Sequence, residues 1–158
     1  MIRLTEILMH YFYHATTADA LPLIVKAGLI PSKKANWSGE IRKHSLGKVF
    51  VTNNFDDAMM YGNYGIWDHQ HTNRFRPILR FKYDENQLVK DIENDWYSKT
   101  LIKSKFEIFV PNINTLVPDS AGDTEYDENK GQWKLLTIKL ASEIYLGKWD
   151  GEIIDDKV

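Results

Sequence analysis

Residues 11–33, YFYHATTADALPLIVKAGLIPSK, place a strand directly before a helix and decide the class of fold. Aromatic strand formers open the stretch at positions 11–13. Pro22 is tolerated in a first helical turn, so the helix is predicted to begin beside it. Apolar side chains then recur at the spacing of one helical face: Leu21, Ile24 and Val25.

The predicted helix has its own start and stop signals. Thr16, Thr17 and Asp19 offer side-chain oxygens for its N-terminus, and Gly28 stands where a left-handed C-cap is expected. His14 therefore lies at the corner between strand and helix, where packing rarely requires an imidazole. We interpret it as a candidate functional residue, and an ordinary packed or surface histidine is the alternative.

The composition is that of a globular protein, with 43% hydrophobic and 27% charged residues, and the length predicts one domain over residues 1–158. A formal net charge of −2 argues against a generally basic nucleic-acid coat. The chain has no cysteine, which excludes disulfides, thiolate metal sites and a cysteine nucleophile. No apolar run approaches the roughly 20 residues that cross a bilayer. The N-terminus lacks the pattern of a signal peptide, so we expect a cytoplasmic protein without a membrane partner.

Beyond the opening stretch, short strands and two or three short helices without βαβ alternation predict the α+β class. A helix with Asp56 as its N-cap and Gly62 as its end is expected after the second strand. The later strands are predicted at KVFVTNN (48–54), PILRFKYDENQ (77–87), FEIFVPN (106–112), WKLLTIKL (133–140) and EIYLGKWDG (143–151). Neither GxGxxG nor GxxxxGK[ST] occurs, so no phosphate-binding loop of these kinds is expected.

Two stretches match a pair of motifs in order and spacing. YHATTADALPLIVKAGLIP fits Tyr-His-Gly-Thr-Ser followed by Ile-x-x-x-Gly-Leu-x-Pro, with Ala15 in place of the usual glycine. VFVTNNFDDAMMY fits a second motif, with Phe50 at its first aromatic position and Tyr61 at its second. Both motifs belong to the ADP-ribosyltransferase superfamily, in its His-Tyr-Glu branch, which the chain therefore resembles. The resemblance implies a split antiparallel β-sheet core with short flanking helices.

The resemblance also implies a substrate and a set of contacts. NAD would be cleaved at its nicotinamide–ribose bond, without a metal, and ADP-ribose transferred to a protein or nucleic-acid acceptor. Phe50 and Tyr61 would clamp the nicotinamide, and the backbone of Ala15 would bond its carboxamide. His14 would hold the adenosine ribose, with Thr16 assisting. His14 and Tyr61 thus count among the predicted catalytic residues.

The third motif of the superfamily has two candidates. SKFEIFVPN resembles the glutamate strand of the DNA-modifying toxin branch and favours Glu107 as the catalytic carboxylate. GQWKLLTIKLASEIYLGKW resembles the last motif in another alignment, which places Gln132 at that position. Alternation with its neighbours also explains Glu107 as a solvated strand residue. The preceding segment 95–105 would recognise the acceptor, through Trp96 or Tyr97.

Other polar clusters have alternative interpretations. Asp68, His69 and His71 could chelate a metal, but further ligands are not evident and we expect no metal site. Residues 124–129 lack the full calcium-loop pattern and are interpreted as a solvated acidic turn. A basic group could hold a diphosphate or an acidic target, or be a solvated face: Lys33, Lys34, Arg42, Lys43 and Lys48.

The leading hypothesis is thus an NAD-dependent ADP-ribosyltransferase, and small members of this superfamily include toxins, phage factors and counter-defence proteins. A catalytically inactive nucleotide-binding or protein-interaction module is the main alternative, favoured by Ala15, Phe50 and Gln132. RNA 2′-phosphotransferase shares the fold and a Gly-x-Trp, here at 131–133, but its helical domain and arginine-rich site are missing. The sequence gives no indication of an oligomeric state.

Overall fold

The computed structural model describes residues 9–31, 46–67, 77–111, 117–118, 124–125 and 127–145. Within them the fold is α+β, with three α-helices and a seven-stranded sheet whose neighbouring strands are all antiparallel. The helices are α1 (Leu21–Ala27), α2 (Phe55–Trp67) and α3 (Ile138–Tyr145). The strands are β1 (Met9–Ala15), β2 (Val49–Thr52), β3 (Ile78–Asp84), β4 (Val89–Lys90), β5 (Asp95–Ser98), β6 (Glu107–Pro111), β7 (Val117–Pro118), β8 (Thr124–Glu125) and β9 (Gly131–Leu135).

The strand order in the large sheet is β4-β5-β2-β1-β3-β6-β9, and β7 pairs with β8 separately. One face of the sheet is covered by α2, where Phe55 packs its ring against Tyr13, Phe109 and Trp133. On the other face Phe12 contacts the ring of Trp96. The buried side chains of all three helices belong to the same hydrophobic core.

Helix α1 confirms the predicted apolar face, because Leu21 and Ile24 are buried. Its predicted N-cap is wrong: no side chain caps it, and the chain enters it through a 3-10 turn, Ala18–Ala20. Gly28 follows the helix at a φ of 88° and a ψ of −173°, so the predicted left-handed C-cap is wrong, although the positive φ still favours glycine. A Cβ there would lie 2.4 Å from the carbonyl oxygen of Ile102, so the close approach of two backbone segments also requires glycine.

Helix α2 begins two residues earlier than predicted. The side chain of Asn54, and not of Asp56, accepts a hydrogen bond from the Asp57 amide at 3.1 Å, which is the contact of an N-cap. The helix also continues through Gly62 to Trp67. An interior glycine weakens a helix by only about 1 kcal/mol, which tertiary packing can offset.

The end of the described chain differs from the sequence-based expectation. The strand predicted over 133–140 ends at Leu135 as β9, and its residues 138–140 belong to α3. The predicted strand over 143–151 is likewise wrong for its first three residues, which belong to the same helix. Thr137 begins the helix by accepting a hydrogen bond from the Leu140 amide at 3.2 Å. Ala141 and Ile144 then lie buried three residues apart, which is helical spacing.

None of the helices in the described residues is both long and apolar enough to cross a membrane.

Candidate functional site

His14 lies where β1 and β2 separate. Among the described residues these strands pair only at Tyr13 and Thr52, whereas β1 pairs with β3 over its whole length. Nδ1 of His14 lies 2.7 Å from the carbonyl oxygen of Phe50 and donates to it, since that oxygen can only accept. In the neutral imidazole Nε2 is consequently left as an acceptor.

The protonation of His14 is set by its surroundings. Burial lowers the pKa of the imidazole below its ordinary value, and the hydrogen bond to the Phe50 carbonyl opposes that shift only in part. His14 is therefore neutral at pH 7. Within the described residues Nε2 has no hydrogen-bond donor, so the neutral imidazole can accept a hydrogen bond from a ligand hydroxyl there.

Phe50 belongs to a strip of aromatic and cationic side chains on β2 and β5. It is opposite Tyr97 in the ladder, and the two ring centroids are 5.8 Å apart. Lys48 holds its Nζ 4.5 Å from the centroid of the Tyr97 ring and 6.0 Å from that of Phe50. Both rings are half-buried, so each retains surface for a ligand.

Tyr61 reaches the same face of the sheet from helix α2. Directly opposed residues of an antiparallel ladder share a face, and alternate residues along a strand return to it. Phe50, Thr52, Asp95 and Tyr97 therefore lie on one face. The hydroxyl of Tyr61 donates a 2.6 Å hydrogen bond to Oδ2 of Asp95 on that face.

Asp95 is a functional candidate that the sequence-based analysis missed. Burial raises the pKa of its carboxyl above the ordinary value, the hydrogen bond from Tyr61 opposes the rise, and the negative charge of Asp57 adds to it. Burial and the contact with Asp95 also raise the pKa of Tyr61. A turn residue, Asn94, followed by alternating strand formers is the signal that could have placed a carboxylate at the start of a strand.

The turn before β5 fixes the position of Asp95. Its amide donates to the carbonyl of Ile92 at 2.8 Å, and its carbonyl accepts from the Asp91 amide at 2.9 Å. The carbonyl of Asn94 accepts from the buried Thr52 hydroxyl at 3.0 Å. The backbone of Asp95 is thus fixed by the turn that precedes β5, and that of Asn94 by the side chain of Thr52 on β2.

The predicted catalytic Glu107 lies elsewhere on the sheet. Its Oε1 accepts from Nε of Arg80 at 2.8 Å, and the two residues are directly opposed on β6 and β3. Three strand spacings, roughly 14 Å, separate β6 from β2. Gln132 is farther still, on the edge strand β9 and on the opposite face from Glu107. The structure therefore brings neither residue to Phe50 and Tyr61.

The remaining predicted residues fall into three groups. Ala15 ends β1, and the amide of Thr16 donates to the carbonyl of Pro77 at 3.0 Å, so both follow His14 at the corner. Trp96 is buried in a strand, which makes its predicted acceptor contact wrong. Several predicted polar residues lie outside the described residues: Lys33, Lys34, Arg42, Lys43, Asp68, His69, His71 and Tyr126 of the acidic turn.

Within the part of the chain that the structure describes, no three histidine or acidic side chains converge as a metal site would require. No protein-family model, no curated protein and no solved structure matches the chain.

Proposed function

We propose that this protein is an NAD-dependent ADP-ribosyltransferase, which cleaves the nicotinamide–ribose bond and transfers ADP-ribose to a macromolecular acceptor. The observation that carries the proposal is the contact of Tyr61 with Asp95, on the sheet face that also holds Phe50. A neutral His14 lies where β1 and β2 separate, and its Nδ1 donates to the backbone carbonyl of Phe50. The two aromatic rings and the carboxylate suit a flat cationic ring. The imidazole nitrogen of His14 can accept a hydrogen bond from a hydroxyl of the ribose that the ring is joined to.

In the proposed reaction Phe50 and Tyr61 contact the nicotinamide, and the carboxylate of Asp95 faces the attached ribose. The bond between the ring nitrogen and C1′ breaks, and its electron pair stays with nicotinamide, which leaves as a neutral molecule. The ribose becomes oxocarbenium-like, and the negative charge of Asp95 stabilises it. A nucleophilic atom of the acceptor then bonds to C1′ and loses its proton to water.

Asp95 is a better candidate than Glu107 for this carboxylate. The charge of Glu107 is balanced by Arg80 at 2.8 Å, and its strand is three positions away from β2. Asp95 is directly opposed to Thr52 on β2 and touches Tyr61. Its partial desolvation also strengthens its interaction with a developing positive charge.

The experiment is to incubate the purified protein with NAD and follow free nicotinamide, with and without candidate acceptors. Asp95→Asn keeps the size of the side chain and removes its charge, and we expect release to fall about 100-fold or more. Glu107→Gln and Gln132→Ala are the competing variants. Loss of release in Glu107→Gln alone would reinstate Glu107 as the catalytic carboxylate. Asp56→Asn, at an exposed position of α2, is the matched control.

A second candidate function is a catalytically inactive nucleotide-binding module. Glu107 is the glutamate in the preferred match to the third motif, and its carboxylate is already paired with Arg80. This ion pair favours the inactive module. Calorimetric binding of NAD without nicotinamide release, in the presence of protein and nucleic-acid acceptors, would support it. Absence of both binding and release would contradict both functions.

A further inference from the structure

The side chain of Arg80 is held on several sides. Its Nε donates to Glu107 at 2.8 Å, and its guanidinium carbon lies 4.6 Å from the ring centroid of Tyr11 and 4.5 Å from that of Trp133. Contacts of a cation with two rings restrict both the position and the plane of the guanidinium. A restricted side chain loses less conformational entropy when it binds a ligand.

The terminal nitrogens of Arg80 are not used by these contacts. A guanidinium has five N–H donors, and only the Nε–H is bonded to an acceptor within the described residues. The side chain is 21% exposed, so part of the guanidinium reaches solvent. The planar pair of terminal N–H groups matches two oxygens of a phosphate.

Lys82 provides a second cation on the same face, two residues along β3. It is exposed, and its Nζ lies 5.2 Å from the ring centroid of Tyr11, the ring that also contacts Arg80. Arg80 and Lys82 thus place two cations near the carboxylate of Glu107, and Glu128 is a second carboxylate, 3.5 Å from the hydroxyl of Tyr13, which is directly opposed to Arg80. Tyr11 is itself 39% exposed and offers aromatic surface beside the two cations.

We propose that the terminal nitrogens of Arg80, together with Lys82, form a binding site for the phosphate groups of nucleotides or nucleic-acid strands. Positive charge and exposed aromatic surface together suit this ligand class, because a nucleotide carries a phosphate and a base that stacks. The site does not rest on the proposed function. It lies on β3, two strand spacings or roughly 10 Å from β2.

The test measures binding of inorganic phosphate, ATP and a single-stranded oligonucleotide to the full chain at low salt. Arg80→Lys keeps the charge but removes the planar pair of donors, and we expect affinity for ATP or the oligonucleotide to fall about tenfold. Lys82→Gln should weaken binding and reduce its salt dependence. Lys134→Gln, an exposed cation on the opposite face, is the control and should change nothing.

Glu107→Gln gives a prediction of opposite sign. The glutamine oxygen can still accept from Nε of Arg80, while the competing negative charge is removed, so phosphate affinity should rise. An Arg80 that only stabilises the sheet would produce no such gain, even if its own substitution disturbed folding.

The same binding titrations distinguish a free nucleotide from a nucleic-acid strand as the ligand that carries the phosphate. Equal affinity for ATP and the oligonucleotide identifies a nucleotide site, and tighter, steeply salt-dependent binding of the oligonucleotide identifies a nucleic-acid surface. Binding of inorganic phosphate that neither ATP nor the oligonucleotide displaces contradicts the proposal. Unchanged affinity in both Arg80→Lys and Glu107→Gln overturns it.

Discussion

The Tyr61 hydroxyl and the Asp95 carboxylate meet at 2.6 Å although 34 residues separate them in the sequence. A helix supplies the hydroxyl and a strand supplies the carboxylate, so their contact depends on the packing of α2 on the sheet. Burial raises the pKa of each group. The ionisation of Asp95 is consequently linked to the presence of the Tyr61 hydroxyl.

Removal of that hydroxyl should raise the pKa of Asp95 further. Tyr61→Phe keeps the ring but deletes a donor that favours the ionised carboxylate, while burial and the charge of Asp57 continue to oppose ionisation. A carboxyl-carbon NMR titration of Asp95 measures the change. Tyr145→Phe, at an exposed tyrosine of α3, is the control. An unchanged or lower pKa in Tyr61→Phe would show that the hydrogen bond does not form in solution.

The lowered pKa of His14 predicts a loss of stability in mild acid. An unfolded histidine has a pKa near 6.5, and the folded value lies below it. Between these values the unfolded chain binds more protons, so the free energy of unfolding falls as the pH falls through that window. Above pH 6.5 the contribution of the neutral His14 to the free energy of unfolding is fully present.

The variant His14→Asn tests this linkage. Asparagine retains an N–H that can donate to the Phe50 carbonyl but cannot titrate, so the free energy of unfolding should fall less below pH 6.5. Urea unfolding measured across this pH range gives the slope. His10→Asn, at an exposed histidine of the same strand, is the control. Identical slopes in the wild type and His14→Asn would contradict the assignment.

Substitutions at Gly28 and Gly47 allow the cost of a strained backbone to be measured apart from the cost of steric overlap. Both have positive φ, 88° and 72°, but a Cβ at Gly47 would meet nothing within 4 Å, whereas at Gly28 it would lie 2.4 Å from Ile102 O. Gly47→Ala should cost about 1 kcal/mol, and Gly28→Ala should cost more, by about 1–3 kcal/mol. Thermal and urea unfolding measure both. Equal losses would mean that the contact of Gly28 with Ile102 relaxes freely.

Local sequence signals predicted the parts of the fold that depend on neighbouring residues. The opening strand and the apolar face of α1 each follow from propensities or spacing within a few residues. The predicted α+β class with an antiparallel sheet is confirmed, whereas the split core that the resemblance implies stays a prediction, because the seven main strands belong to one sheet.

Errors arose where two local signals competed. A short apolar run such as the one around Ile144 fits a strand or a buried helix, and burial of Ala141 on the same face decides for the helix. At Gly62 the weak helix propensity of glycine suggested an end, but the packing of α2 on the sheet outweighs it.

The candidate site depended on pairings that no local pattern contains. His14 was found because a strand-to-helix corner is a local feature. Asp95 becomes a neighbour of Phe50 and Tyr61 only because β5 pairs with β2, which sequence spacing does not reveal. The ion pair of Glu107 with Arg80 likewise requires the pairing of β3 with β6.

The narrow join between β1 and β2 has a mechanical consequence. Tyr13 and Thr52 form its only ladder pair in the described residues, and the imidazole of His14 adds one cross-link. Because β1 and β2 share so few hydrogen bonds, we expect this strand pair to open more easily than the others in the sheet. Amide protons between β1 and β2 should therefore exchange with solvent before those between β1 and β3. We therefore expect β4-β5-β2 and β1-β3-β6-β9 to move more easily relative to one another than the strands within each group, and a ligand bound at His14 to alter amide exchange along this join.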